Sequence, residues 1–67
     1  MIVAPEPLMS PQELADYLAI PVQTVYGWTR TRSGPVRLKI GRHVRYRRRD
    51  VEDWLILQQV EVSAAKL

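Results

Sequence analysis

The chain has 67 residues, enough for one small domain, and carries ten Lys and Arg against seven Asp and Glu, a formal charge of +3. With no cysteine and a single histidine, it excludes a disulfide scaffold and a thiolate or histidine-built zinc site, and no cofactor is expected. No apolar run approaches the roughly 20 residues of a membrane span, and Met1 to Met9 lacks the basic start of a signal peptide, so the expectation is a cytoplasmic protein with no membrane contact and no room for a separate effector domain.

Residues 1–8 read as a loose N-terminal arm, because Pro5 and Pro7 block helix. Ser10-Pro11-Gln12-Glu13 is then a strong helix start. Ser10 can cap, Pro11 suits the first helical position, and Glu13 completes a capping box. Met9 and Leu14 stand where a hydrophobic staple would place them. Leu14, Ala15 and Leu18 share one face, and this helix should end near Leu18 or Ala19.

Val25 and Trp28 repeat at helical spacing, so a second helix follows almost at once. Pro21 can open a helix but not sit inside one, which leaves Ala19-Ile20-Pro21 for the turn. Two short helices joined this tightly form a helix-turn-helix. Ala15, Ile20, Val25 and Trp28 fill its small and apolar contact positions. Ala19 stands where the turn usually has glycine, and a left-handed alanine costs about 1 kcal/mol, so a slightly different turn shape is expected.

The second helix presents Gln23, Thr24, Tyr26, Gly27 and Arg30. Gln23 suits adenine, Arg30 guanine or phosphate, and Thr24 a phosphate or a thymine methyl. Two readings fit Gly27, close approach to a DNA backbone or simple tolerance on an exposed face. Two also fit Tyr26, groove contact or half-buried packing.

Ser33-Gly34-Pro35 stops the chain. Val36, Leu38 and Ile40 then alternate with Arg37 and Lys39, and Val44 and Tyr46 with Arg45 and Arg47. This is a hairpin with one apolar and one basic face. A three-residue loop, Gly41 to His43, would pair Ile40 with Val44 and Leu38 with Tyr46, keeping that division. After a helix-turn-helix such a hairpin is a wing. Arg42 and His43 at its tip suit a narrow minor groove, although an ordinary exposed turn residue explains His43 equally well.

A last helix starts near Arg48 with Val51, Trp54 and Leu55 as its core face. Asp50, Glu52 and Asp53 suit its first turns, whereas Arg48 and Arg49 do not, which an external phosphate would explain. The domain should span 9–59, with 60–67 a tail that frays or docks on a neighbour. From Tyr17 to Arg49 run nine of the ten basic residues and no acid (Arg30, Arg32, Arg37, Lys39, Arg42, Arg45, Arg47, Arg48 and Arg49). A block of +9 raises the local concentration of a polyanion, and its spacing by apolar residues at strand period marks it as folded. The pattern is that of a nucleic-acid-binding surface.

Met9 to Leu18, Val22-Gln23-Thr24-Val25-Tyr26-Gly27-Trp28, Leu38 to Arg47 and Asp50-Val51-Glu52-Asp53-Trp54-Leu55 together resemble the phage excisionases, a winged helix-turn-helix family related to the MerR regulators. Two features depart from its pattern: Pro21 replaces the usual capping serine, and the link from Thr29 to Pro35 is longer. The resemblance implies a mainly α fold with a small β-hairpin and no enzymatic activity. It implies a recombination directionality factor that binds repeated sites beside a prophage attachment sequence in a bacterial host. Such a protein bends double-stranded DNA, assembles head-to-tail on it, and helps a tyrosine or serine integrase excise the prophage. Carried onto this chain, Gln23, Thr24, Tyr26, Gly27 and Arg30 meet the major groove, Arg42, His43 and Arg45 form the wing contact, and Lys39, Arg47 and Arg48 hold phosphate. A stand-alone transcription regulator on the same fold is the nearest alternative. A protein-interaction module, such as an antitoxin with its basic face on an acidic partner, is a more distant one.

Overall fold

The computed structural model describes residues 7–60, in the order α1 (Pro11–Leu18), α2 (Val22–Thr31), β1 (Leu38–Ile40), β2 (His43–Arg45) and α3 (Arg48–Leu57). Most of the expected arm, and the expected tail beyond Val60, lie outside the described residues. The beginning of α1 follows from its sequence. Glu13 N–H donates to Ser10 Oγ at 3.1 Å, and Ser10 N–H donates to Glu13 Oε1 at 2.8 Å. This capping box satisfies two amides that a bare helix end leaves unpaired, and Pro11 at the first turn has none to lose.

Ala19 closes α1 in the left-handed conformation, φ 58° and ψ 46°, with its N–H directed at the carbonyls of Ala15 and Asp16. The altered turn shape expected from alanine does not occur. The turn keeps the glycine-like geometry and accepts the strain, because α1 and α2 are joined through buried Leu14, Ala15 and Val25. Pro21 is the N-cap of α2 and supplies no side-chain hydrogen bond. At the other end Arg32 is left-handed as well, φ 55°.

The link out of α2 folds back onto that helix. Thr31 Oγ1 donates to the Gly27 carbonyl at 3.1 Å and lies 2.8 Å from Ser33 Oγ, while Ser33 N–H donates to the Trp28 carbonyl at 3.0 Å. Gly34, at φ 84°, passes so close to Trp28 that a Cβ there would lie 2.8 Å from the indole ring. Pro35 is fully buried beyond it.

The hairpin differs from the expected register. Leu38 pairs with Arg45, Lys39 with Val44 and Ile40 with His43. The loop is therefore Gly41-Arg42, and Gly41 at φ 65° takes the position where a two-residue hairpin turn accepts glycine. Residues directly opposite share a face. Leu38 and Ile40 thus lie with Arg45 and His43, and the expected division into one apolar and one basic face is lost. The reason is Tyr46. It is fully buried, and its backbone exchanges hydrogen bonds of 2.8 and 2.9 Å with Met9 in an isolated antiparallel bridge. β2 is anchored through Tyr46 and β1 follows from the turn, which leaves Ile40 52% exposed.

Leu14, Ala15, Val25, Tyr46 and Val51 make the buried core, with Met9, Leu18, Ile20, Val22, Trp28, Val44 and Leu55 packed around it. Trp54, expected within that core, is only half-buried. It packs edge-on against Trp28 at 5.1 Å between ring centroids, and Val51 takes the central position on α3. The Tyr46 hydroxyl is buried with no hydrogen-bond partner among the described residues.

Candidate nucleic-acid interface

The wing and α2 flank one groove. Tyr26, Thr29 and Arg30 line it from the helix, and Arg42, His43, Val44 and Arg45 from the hairpin, with Pro11 at the start of α1 also lining it. Helical phase explains the first group, since Tyr26, Thr29 and Arg30 stand at i, i+3 and i+4. The two-residue turn explains the second, because it places Arg42 in the loop and His43 and Arg45 at alternate positions of β2. Arg45 is half-buried, and its guanidinium donates to the Val44 carbonyl at 2.7 Å. Among the described residues no carboxylate lines this groove.

The remaining candidates are distributed around it. Gln23 and Thr24 are exposed in the first turn of α2, outside the groove lining. That end of the second helix is the part a helix-turn-helix directs at base edges. Gly27 is half-buried, and a Cβ there would make only an ordinary 3.8 Å contact with the Arg30 guanidinium. Nothing among the described residues therefore requires glycine at this position. Lys39 is exposed on β1, opposite Val44.

Arg47 and Arg48 have partners within the chain. Arg47 pairs with Asp50 at 3.0 Å. The Arg48 guanidinium lies over the Tyr17 ring, 4.8 Å from its centroid, in a cleft that also holds Glu13 and Asp16 and shares no residue with the wing groove. The cation at the start of α3, which invited an external phosphate as its explanation, thus has an aromatic partner on α1. Arg49 has no such partner among the described residues.

Sequence reasoning missed Thr29. Its phase relative to Tyr26 was visible, but a short hydroxyl side chain offers less to read than the arginine beside it.

A helical pair whose second member lies beside a cation-tipped hairpin defines a small winged helix-turn-helix domain of the DNA-binding class, a class that is typically non-enzymatic. Residues 8–56 match the helix-turn-helix domain family, and the chain belongs to it. No curated protein and no solved structure matches the chain. Among the described residues no helix is long and apolar enough to cross a membrane.

Proposed function

We propose that the protein is a DNA-binding excisionase. It seats α2 in the major groove and the wing on the adjoining backbone, bends the duplex, and promotes integrase-mediated excision of a prophage. The observation that carries the DNA contact is the groove, free of carboxylates among the described residues, with Arg30 on one wall and Arg42 and Arg45 on the other. Arg30 and Arg42 have no ion-pair partner among the described residues. Both cations are therefore available to phosphate without first giving up an internal partner. Gln23 and Thr24 supply the base contacts, Tyr26 and Gly27 the close approach, and His43 joins Arg42 at the wing. Lys39 adds a phosphate contact, and Arg47 and Arg48 contribute charge from the start of α3.

The excisionase role rests on the resemblance of residues 9–56, and head-to-tail assembly on repeated sites belongs to that role. A plain transcription regulator would use the same surface. The deciding experiment supplies the cognate integrase and attachment-site DNA with and without the protein. Stimulated excision supports the proposal, and binding without any effect on recombination leaves the regulator. Within either role, Arg30→Ala should cost about 1–3 kcal/mol at a cognate site if it reads a base. Binding that survives loss of Gln23, Thr24 and Arg30 together would point instead to an acidic protein partner.

A further inference from the structure

The basic block holds more cations than the groove between α2 and the wing uses. A second groove adjoins it, lined by Thr29, Arg32, Arg37, Lys39 and Arg42. Thr29 and Arg42 belong to both, so the two form one continuous surface around the wing tip. Among the described residues no carboxylate lines the second groove either, and their one ion pair, Arg47 with Asp50, lies elsewhere. Four cations around one depression repel each other unless an anion enters.

Two details set this groove apart from a solvated charge run. Arg37 is half-buried, and its guanidinium donates to the Ser33 carbonyl at 3.2 Å, which fixes its direction. Arg32 occupies the C-cap of α2 in the left-handed conformation, φ 55° and ψ 43°, where glycine is the usual residue and a side chain is strained. Its side chain is exposed, so packing does not call for arginine there. A strained residue whose side chain the fold leaves unused points to a role outside the fold.

We infer that Arg32, Arg37 and Lys39 form a second phosphate track, which holds the DNA backbone flanking the segment met by α2 and extends the contact past the wing. The inference rests on the DNA-binding reading above. It assigns Arg32 and Arg37 a function and makes Arg42 the hinge between two lines of phosphate contacts.

The test measures affinity by fluorescence anisotropy on a mixed-sequence duplex of roughly 30 base pairs, about three helical turns. Each lost phosphate contact lowers the slope of log affinity against log salt by about 0.9, so an Arg32→Gly/Arg37→Gln variant should be shallower by about 1.8. Between about 50 and 200 mM salt the parent then loses roughly 12-fold more affinity than the variant. Arg32→Gly alone should bind more weakly while its thermal midpoint stays level or rises, since glycine relieves the strained cap. Arg32→Lys should restore binding. An unchanged salt slope in the double variant, with Arg30→Ala still weakening the same complex, would overturn the second track and leave the first groove standing. So would a lowered thermal midpoint for Arg32→Gly, which would make Arg32 structural. A parent that ignores the duplex at low salt would overturn the DNA reading itself.

Discussion

Replacing Ala19 by glycine should stabilise this protein, although it deletes a methyl group and adds backbone freedom. Ala19 sits at φ 58° and ψ 46°, where an L-residue with a Cβ is strained by roughly 1–2 kcal/mol. Glycine removes that strain but gains freedom in the unfolded chain, at a cost of about 0.4–1 kcal/mol. The side chain is exposed, so no packing is lost, and the N–H bonds to Ala15 and Asp16 are backbone bonds that glycine keeps. The midpoints of the two ranges leave a net gain of about 0.8 kcal/mol, or roughly 3–6 °C in thermal midpoint for a domain of this size. Urea unfolding followed by tryptophan fluorescence would measure it, since Trp28 and Trp54 lie against each other. A β-branched control, Ala19→Val, should move the midpoint the other way. If Ala19→Gly left stability unchanged or lowered it, the left-handed assignment of the turn would be wrong.

Tyr46→Phe should be neutral or stabilising by about 1 kcal/mol, because the buried hydroxyl has no partner among the described residues and its desolvation is uncompensated; a clear loss in the same urea titration would reveal a partner for that oxygen. Gly34→Ala should cost about 2–3 kcal/mol, since a Cβ would meet the Trp28 ring at 2.8 Å on a backbone already at φ 84°. Gly41→Ala, with nothing within 4 Å of the added carbon, should cost only about 1 kcal/mol, and equal losses for the two glycines would refute the contact with Trp28. Arg48→Ala removes a cation–π contact of about 0.5–1 kcal/mol but also an unfavourable charge at a helix start. Its stability should therefore change little, and any fall in DNA affinity would report a phosphate contact rather than damage to the fold.

How legible each element was depended on how local its causes are. The start of α1 could be read at Ser10, Pro11 and Glu13 because cap, helix former and reciprocal acceptor lie within one turn of each other. The tight turn was readable from Pro21, which cannot lie inside a helix. The shape Ala19 adopts was not, because propensity weighs one residue while burial of Leu14, Ala15 and Val25 decides the crossing of two helices. The aromatic partner of Arg48 was not legible for a related reason. The arginine's position at a helix start is local information, whereas the Tyr17 ring beneath it belongs to a helix far back in the chain. Trp54 had the spacing of a core residue, and spacing alone does not say that Val51 would be the deeper of the two.

In the hairpin the same distance between cause and residue decides how the wing is aimed. Alternation in Leu38-Lys39-Ile40 and Val44-Arg45-Tyr46 fits two strands facing one core, which only a three-residue loop would allow. The wing is tied to its domain through Tyr46 and its bridge to Met9. β1, just before the turn, sets its apolar residues among basic ones, and Ile40 lies beside His43. That arrangement looks like a poor core and serves well as a contact surface. Arg45 keeps its place in the groove because it neighbours the anchored Tyr46, and Arg42 reaches both grooves because the loop has only two residues. The anchoring of β2 in the domain, rather than the pairing of apolar side chains across the hairpin, is what aims the wing's cations.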